Sequence, residues 1–380
     1  MKLLEKLSLQ LQKRVVTGNL RQLSPQSNLI DFSSNDYLGL AANSILEEII
    51  YKEIQKLPKP HLGATGSRLI SGTQPYSLLL ERFLADFFQA EAALIFNSGF
   101  QLNLALLATI AQKGDTILLD DFIHASLREG ARLSLAQKFY FQHNSLADLE
   151  RKMQKAQGNI FVVIETVYSM EGDIAPIAEI SKLCEKYEAY LIVDEAHSTG
   201  IFGENGEGYL LENNLHQAIL ARVYTFGKAL GGHGACVVGS QVLIDYLINF
   251  ARPFIYTTAL PLHSLVHIKE AFEFIKQHKE LKQQLYININ FFREILGDFR
   301  HEHITLKESF SPIQVLKIGG NERTKFFAQE LQKAGFDLRA VLSPTVKEGE
   351  EILRICLHSF NTSQEIEFLA KNIEKVALMV

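Results

Sequence analysis

The stretch YTFGKALGGHG, residues 224–234, surrounds a single lysine, Lys228, with glycines. The largely apolar run Arg222–Phe226 predicts a short buried strand that leads directly into this glycine-rich turn. A lysine in that position is a candidate for a Schiff base, because its amine can react with the aldehyde of a cofactor. A solvated loop lysine fits the same residues, so the rest of the chain has to separate the two interpretations.

The composition is typical of a soluble globular protein with a large domain and a smaller one. The chain has 380 residues, of which 47% are hydrophobic and 21% are charged, so a sizeable core is available. A net charge of -5 provides neither a basic patch for nucleic acid nor a polybasic membrane anchor. We therefore expect neither a nucleic-acid partner nor a membrane partner.

The cysteines and the N-terminus indicate a reducing, cytoplasmic compartment. Cys184, Cys236 and Cys356 are odd in number and widely spaced, which favours neither a disulfide framework nor a zinc site. Residues 1–13 mix apolar with charged side chains, unlike the apolar centre of a signal peptide. No apolar run reaches the length of a membrane helix, about 18 residues. We expect a cytoplasmic protein without a metal site.

From residue 93 onward, strand and helix patterns alternate and predict an α/β domain. The predicted strands are Ala93–Phe96, Thr116–Asp120, Lys138–Phe141, Ile160–Glu165, Tyr190–Asp194, Arg222–Phe226 and Ala235–Gly239. The predicted helices include Met1–Leu11, Leu78–Phe88, Leu102–Ala111, Leu146–Gln157 and Ile177–Tyr187. This alternation is typical of a mostly parallel sheet, here of seven strands, with helices on both faces.

The character of the chain changes near residue 281, where reactive clusters become rare. The predicted elements there are a helix at Tyr286–Leu296, strands at Ile313–Ile318, Phe336–Val341 and Leu353–Leu357, and helices near 321–334 and 363–376. We therefore predict an N-terminal segment (1–40), a large α/β domain (41–280) and a small α+β domain (281–380).

Polar or ionisable residues follow five of the predicted strands. In parallel sheets the ligand crevice lies at the carboxyl ends of the strands, so these residues are expected to meet there. They are the run Asn97–Gln101, His124, Ser169, the run Asp194–His197, and Lys228 with Thr225. The run that contains Gly99 also opens a predicted helix, whose first N–H groups can hold a phosphate.

A phosphate site, a reactive lysine and a buried acid together suggest pyridoxal 5'-phosphate (PLP). Lys228 would bind its aldehyde, and Asp194 is the natural partner for a protonated ring nitrogen. His124 could stack on the ring, and His197 could reach the ring hydroxyl. Spacing alone leaves these roles open.

Eight stretches of the chain are similar to the α-oxoamine synthase family of PLP enzymes, which has fold type I. They are FSSNDYLGL (32–40), GSRLISG (66–72), NSGFQLN (97–103), IHASL (123–127), ETVYSMEGD (165–173), VDEAHSTGIFG (193–203), TFGKALGG (225–232) and ARPFIYTTALP (251–261). The resemblance covers nearly the whole chain, and the set is far more specific than any one stretch.

The resemblance implies a role for each matching site residue. Lys228 would form the Schiff base and carry the proton at the substrate Cα, Asp194 would pair with the pyridinium nitrogen, His197 would bond the ring oxygen, and His124 would stack on the ring. The remaining implied cofactor residues are Gly99, Phe100, Ser169, Thr225 and Thr258. The implied substrate residues are Arg21, Asn35, Thr345 and Arg354.

The resemblance also implies an assembly and a reaction. The site would be shared across a homodimer, with Thr257 and Thr258 reaching the phosphate of the neighbouring subunit. The reaction would be a decarboxylating condensation of an amino acid with an acyl thioester. The best match implies L-alanine and a pimeloyl thioester, a step of biotin biosynthesis, with CoA or an acyl carrier protein as the thiol.

Five alternatives stay open. Glycine C-acetyltransferase usually has a serine-asparagine pair at the place of Thr257 and Thr258, which argues against it; serine palmitoyltransferase and 5-aminolevulinate synthase are disfavoured similarly. A non-catalytic PLP-fold binding protein would have no chemical need for the intact set of site residues. NAD binding is disfavoured because the glycines at 231–234 precede a strand.

Two stretches depart from the family pattern. Ser77 stands where a histidine is common, and the loop GATGSR (63–68) replaces a version richer in glycine. Both departures bear on substrate entry, and neither changes a residue implied to bind the cofactor.

Overall fold

The computed structural model describes residues 2–21, 23, 28–58, 60–61, 63–297 and 299–379. The helices are α1 (Leu3–Val16), α2 (Ser44–Lys56), α3 (Pro75–Phe87), α4 (Gly99–Ile110), α5 (Ala125–Leu133), α6 (Leu146–Met153), α7 (Ile177–Lys186), α8 (Tyr209–Glu212), α9 (Gln241–Phe250), α10 (Arg252–Ile255), α11 (Leu262–Gln277), α12 (Lys279–Leu296), α13 (Asn321–Lys333) and α14 (Ser363–Ala377). A π-helical turn covers Arg68–Gly72, and a 3₁₀ turn covers His216–Ala218.

The strands are β1 (Ile30–Asp31), β2 (Ala92–Phe96), β3 (Thr116–Asp120), β4 (Gln137–Phe141), β5 (Ile160–Glu165), β6 (Tyr190–Asp194), β7 (Ile219–Thr225), β8 (Ala235–Gly239), β9 (Arg300–His301), β10 (Ile304–Leu306), β11 (Ile313–Lys317), β12 (Phe336–Asp337), β13 (Arg339–Val341) and β14 (Ile352–Cys356). Met1, with which the first predicted helix begins, lies outside the described residues.

The chain forms two compact units whose boundaries differ from the predicted domains. The larger unit contains Asn35–Tyr286 and His358–Phe360. The smaller unit contains Met1–Ser34, Ile287–Leu357 and Asn361–Val380. The first residues of the chain belong to the same unit as its C-terminal part because β1 pairs in parallel with β12. The segment predicted as residues 1–40 is therefore divided between the two units.

In the larger unit, the described residues form one seven-stranded sheet in the order β2-β8-β7-β6-β5-β3-β4. Strand β8 runs antiparallel to both of its neighbours, and the other pairs are parallel. The prediction of an α/β fold with a mostly parallel sheet is confirmed, and each predicted strand of this region overlaps one of β2–β8.

The sheet is buried on both faces because side chains alternate along each strand. In β3, Ile117 and Leu119 belong to a core that includes side chains of α4 and α9. Leu118, between them, belongs to a second core that includes side chains of α6 and α7. This period of two explains why β3 and β5 have apolar side chains at nearly every position and stay fully buried.

The smaller unit is an α+β unit with a sheet of its own. Its described strands pair antiparallel in the order β13-β14-β11-β10-β9. The predicted strand Phe336–Val341 is divided, because Phe336 and Asp337 pair with β1 whereas Arg339–Val341 pairs with β14. Strands β9 and β10 were not predicted, since two and three residues are too short for a periodic pattern.

None of the helices in the described residues has both the length and the apolar character that crossing a membrane requires.

Candidate active site

A cavity of about 240 Å³ lies at the carboxyl ends of the central strands of the larger unit. It brings together most of the residues predicted to bind the cofactor. Those that line it are Gly99, Phe100, His124, Asp194, His197, Thr225 and Lys228, and the predicted substrate residue Asn35 lines it as well. A volume of this size suits a small cofactor with part of a substrate.

Lys228 lies in the glycine-rich turn that follows β7. Its Nζ donates a hydrogen bond to Oγ1 of Thr225 at 3.2 Å, which keeps the amine beside the strand end. The turn closes at Gly231, whose φ of +63° lies in the left-handed region. A Cβ there would come within 2.3 Å of the backbone nitrogen of Ala41, so glycine is required at this position.

Asp194, the last residue of β6, is held by two donors. Its Oδ1 accepts the backbone N–H of Ala196 at 2.9 Å, and its Oδ2 accepts the side-chain amide of Asn103 at 2.8 Å. The Asn103 amide also donates to the hydroxyl of Ser126 at 3.0 Å. Hydrogen bonds of this kind fix the orientation of a buried carboxyl group.

Asn103 is a site residue that the sequence reasoning missed. It lines the cavity and is only 2% exposed. A signal was present, because Asn103 interrupts the apolar run LNLALL of α4 with an amide that a core position would not need.

His124 is the N-cap residue of α5, and its ring faces the cavity. Its Nδ1 lies 2.7 Å from the hydroxyl of Ser126, and its backbone N–H donates to Oε1 of Glu165. Desolvation by the cavity walls lowers the pKa of His124; the charge of Asp194 opposes this shift, and the charge of Lys228 adds to it. The imidazole is therefore neutral near pH 7.

Glu165 ends β5 and also lines the cavity, although no role had been predicted for it. It receives backbone hydrogen bonds from His124 and Ser169. Burial, together with the charge of Asp194, raises the pKa of Glu165 to about 8. Its carboxyl group is mostly protonated at pH 7, and it links the two segments that carry His124 and Ser169.

Ser169 does not line the cavity in the part of the chain that the structure describes. It is buried one residue beyond Tyr168 and is tied to the cavity wall by its backbone bond to Glu165.

His197 is oriented by a buried tyrosine. The hydroxyl of Tyr37 lies 2.8 Å from Nδ1 of His197 and 3.1 Å from Oδ1 of Asn35. Tyr37 is completely buried, so its ring cannot move without disturbing the core. The contact with Tyr37 therefore fixes the orientation of the His197 ring.

The start of α4 forms a cradle for an anion. The hydroxyl of Ser98 accepts the N–H of Gln101 at 3.2 Å and caps the helix. A Cβ on Gly99 would lie 2.5 Å from Cγ2 of Thr225, so only glycine lets these segments approach so closely. The N-terminal N–H groups of α4 and the hydroxyl of Thr225 together suit a phosphate.

Thr257 and Thr258 lie on a separate segment of the larger unit. Thr258 forms an isolated bridge with Ser67, and its carbonyl accepts the side-chain amide of Asn97 at 2.7 Å. Thr257 Oγ1 accepts the same amide at 3.3 Å. Among the described residues, neither threonine lines the 240 Å³ cavity.

The remaining predicted substrate residues belong to the smaller unit. Arg21 is exposed, and Thr345 is exposed in a turn closed by its N–H bond to Leu342. Arg354 lies in β14, where its Nη1 contacts the buried Sγ of Cys356 at 2.8 Å. In the described ranges, the histidines, cysteines and acids form no cluster suited to a metal ion.

Comparisons with known proteins agree on a family. The sequence matches the family Aminotransferase class I and II over residues 27–373. An 8-amino-7-oxononanoate synthase of Emericella nidulans is 38% identical over 369 residues, which cover 91% of this chain and 89% of the relative. The 8-amino-7-oxononanoate synthase 2 of Bacillus subtilis is 35% identical over 347 residues, covering 91% and 87%.

Solved structures give the same result for the backbone. Serine palmitoyltransferase of S. paucimobilis superposes with a TM-score of 0.90 at 26% identity, covering 100% of this chain and 99% of that one. The 8-amino-7-oxononanoate synthase of Francisella tularensis superposes with a TM-score of 0.79 at 30% identity, covering 92% and 98%. The backbone is shared across these enzymes, while sequence identity is higher to the oxononanoate synthases.

These comparisons confirm the resemblance seen in the eight sequence stretches. The chain belongs to the 8-amino-7-oxononanoate synthases, PLP-dependent acyltransferases of fold type I within the aminotransferase class I and II family.

Proposed function

We propose that the protein condenses L-alanine with pimeloyl-CoA, or with a pimeloyl carrier protein, and releases 8-amino-7-oxononanoate, carbon dioxide and the free thiol. This reaction would serve biotin biosynthesis. The observation that supports it most directly is the single cavity lined by Lys228, Asp194, His197 and His124 in a chain of this family.

The cavity fits the cofactor that this chemistry needs. Bound PLP supplies an aldehyde that bonds covalently to an amine and a ring that accepts negative charge from the substrate Cα. The start of α4, with Gly99, Phe100 and Thr225, would hold the phosphate. Asp194 would face the ring nitrogen, and His197 would face the ring oxygen.

Lys228 has two tasks in this proposal. Its Nζ would bind the cofactor before substrate arrives, and as a free amine it would then remove and return the proton at the substrate Cα. The hydroxyl of Thr225 accepts a hydrogen bond from the amine at 3.2 Å and keeps it beside the cavity. The slim glycine backbone on both sides leaves room for this movement.

His124 and Asp194 would act without exchanging protons with the substrate. A neutral imidazole offers a flat surface for stacking on the cofactor ring, and the lowered pKa of His124 favours that form. Asp194, with its two fixed donors, can keep a proton on a ring nitrogen opposite it. Ser169 would lie beside the cofactor through its link to Glu165.

Substrate binding is assigned to Asn35, Arg21, Thr345 and Arg354. The guanidinium of Arg354 can hold a carboxylate with two parallel hydrogen bonds, which suits the carboxylate of an amino acid. Its contact with Sγ of Cys356 occupies Nη1 within β14 and restricts the rotation of the side chain.

A substrate panel tests the proposed reaction. L-alanine, glycine and L-serine are each offered with pimeloyl-, acetyl- and palmitoyl-CoA and with pimeloyl carrier protein, and the released thiol is measured. With L-alanine as the amino acid, we expect kcat/KM for a pimeloyl thioester to exceed that for every other acyl thioester by about tenfold or more. A preference for glycine with acetyl-CoA, or for L-serine with palmitoyl-CoA, would assign the chain to another α-oxoamine synthase.

Lys228→Ala tests the covalent role of the lysine. We expect the absorbance of the lysine-bound cofactor to disappear and turnover to fall by about 10³-fold or more, because Lys228 is the one lysine among the described residues that line the cavity. Lys113→Ala, which alters an exposed lysine, serves as the matched control and should leave both readouts unchanged. Full activity in Lys228→Ala would contradict the mechanism.

Asn103→Leu tests whether the amide supports Asp194. Leucine keeps the approximate shape but removes the donor to Oδ2, so a buried carboxylate loses one of its two fixed hydrogen bonds. We expect the free energy of PLP binding to weaken by about 1–3 kcal/mol, measured by titrating the cofactor. Asn249→Leu, at an exposed position of α9, is the control. Unchanged PLP affinity in Asn103→Leu would rule out this support.

We also propose a homodimer in which Thr257 and Thr258 approach the phosphate site of the other subunit. The Ser67–Thr258 bridge joins two segments that expose large apolar side chains. Ile70 is 85% exposed and Tyr256 is 77% exposed, and such neighbouring apolar groups favour burial at an interface. A subunit interface there would cover both side chains.

Ile70→Asp tests the proposed interface. A charge on this turn should shift the protein towards monomer and lower its activity, because the partner's threonines would no longer reach the site. Leu135→Asp, at a 74% exposed position beside β4, is the control. Sedimentation and activity are measured together, and a fully active monomer would contradict a shared site.

A further inference from the structure

His143, outside the cavity, bridges two carboxylates. Its Nδ1 lies 2.8 Å from Oδ1 of Asp120, and its Nε2 lies 2.7 Å from Oδ2 of Asp173. The next residue, Asn144, reinforces the bridge on both sides. Its backbone N–H donates to Asp120 Oδ2 at 2.9 Å, and its side-chain amide donates to Asp173 Oδ2 at 2.9 Å.

This geometry calls for a doubly protonated ring. An ionised carboxylate only accepts hydrogen bonds, so each ring nitrogen of His143 carries a proton when both partners are ionised. The side-chain amide of Asn144 also lies 3.2 Å from Nε2. A neutral imidazole has one protonated nitrogen and would turn a lone pair towards one of the carboxylates. The arrangement is therefore an aspartate–imidazolium–aspartate bridge, which is stronger than neutral hydrogen bonds.

The groups around the ring are consistent with a cation. The ring of Phe122 stacks on His143 with centroids 4.3 Å apart, and Tyr168 approaches edge-on at 4.5 Å. Burial lowers the pKa of His143, but the bonds to Asp120 and Asp173 and their charges outweigh it and raise the pKa to about 9. Burial and the charge of Asp120 raise the pKa of Tyr168 well above its ordinary value, so that phenol stays neutral.

One end of the bridge holds the segment that leads to His124. Asp120 is the last residue of β3 and is fully buried. Its Oδ1 accepts the backbone N–H of Phe122 at 2.8 Å and shapes the turn between the strand and α5. His124 follows two residues after Phe122 and caps that helix.

The other end holds the turn that contains Ser169. The carbonyl of Asp173 accepts the N–H of Tyr168 at 3.0 Å and closes the turn on itself. Val167 and Ile174 then pair in an isolated bridge at the base of the turn. The position of Ser169 is therefore tied to the position of Asp173.

We propose that protonated His143 is a positioning residue, which holds the segment leading to His124 and the turn carrying Ser169 at a fixed separation beside the cofactor cavity. It acts through Asp120 and Asp173, since His143 does not line the cavity in the described part of the chain. The inference rests on the proposed cofactor roles of His124 and Ser169.

His143→Gln tests the bridge in the holoenzyme. Glutamine can donate to one carboxylate at a time, so the two segments lose their common anchor. We expect PLP affinity and kcat/KM to fall by about tenfold or more. A loss of this size is typical of residues that do not contact the ligand but hold the contacting residues in position. His303→Gln, at an exposed position of the smaller unit, is the matched control. Unchanged PLP affinity and kcat/KM in His143→Gln would overturn the proposal.

NMR of ¹⁵N-labelled histidine measures the protonation of the two ring nitrogens of His143 and needs no assay of activity. We expect both ring nitrogens of His143 to stay protonated until the pH approaches about 9. Asp173→Asn removes one of the two charges and should lower the pKa of His143; it is also the milder variant, because the Asp173 side chain is 33% exposed. An ordinary pKa near 6.5 in the parent protein, or no change in Asp173→Asn, would overturn the bridge.

Stability should depend on pH with a definite sign. The pKa of His143 is higher in the folded state, about 9, than in the unfolded chain, about 6.5. The stabilisation is therefore complete below pH 6.5 and is lost as the pH rises towards 9. The difference in urea midpoint between the parent and His143→Gln should shrink over this range, and a constant difference would contradict the inference.

These readouts separate two kinds of failure. If the parent protein binds PLP and His143 titrates high, but pimeloyl thioesters are not used, the proposed function fails and the bridge stands. If the parent protein is active and His143→Gln matches it in PLP affinity, kcat/KM and pH-dependent stability, the bridge fails and the function stands.

Discussion

The register of two central strands places two acidic side chains next to each other, and the organisation of the site follows from this pair. Glu165 and Asp194 are directly paired residues at the ends of β5 and β6, and both are buried. Two negative charges this close in a buried site cannot both persist without a large cost in free energy. Burial and the charge of Asp194 raise the pKa of Glu165 to about 8, and Asp194 accepts hydrogen bonds from two fixed donors. Asp194 can therefore face a cofactor, while Glu165 holds the neighbouring backbone in place.

Glu195, the residue after Asp194, is a second buried acid that holds backbone in place through hydrogen bonds. Glu195 is fully buried, and its carboxylate accepts the N–H groups of Tyr209 at 2.9 Å and Leu210 at 2.7 Å, as well as the hydroxyl of Ser198. These bonds hold the segment that includes His197 against the start of α8. Asp194 thus serves the cavity, and its neighbour Glu195 fixes the loop that carries the next site residue.

Local sequence was sufficient to predict most strands of the larger unit, because these strands are short, apolar and bounded by polar turns. Strands β3, β5, β6 and β8 coincide with their predictions, whereas β7 begins three residues earlier, at Ile219. The smaller unit was predicted less completely because the pairing of β1 with β12 is not visible in either stretch alone. Ser77, which departs from the family pattern, is buried and donates to the carbonyl of Gln74 at 2.6 Å, a local contact at the start of α3.

The sequence by itself determined the α/β class, the strand ends and the family, since apolar periodicity and eight specific stretches are properties of neighbouring residues. It also singled out Lys228 and Asp194, because their types and places in the motifs have a chemical meaning. Only the tertiary structure revealed the contacts of Asn103, Tyr37, Glu165 and His143. Asn103 meets Asp194 across 91 residues, and Tyr37 meets His197 across 160. Which polar groups pair over such distances is decided by sheet order and register, and a short stretch of sequence contains neither.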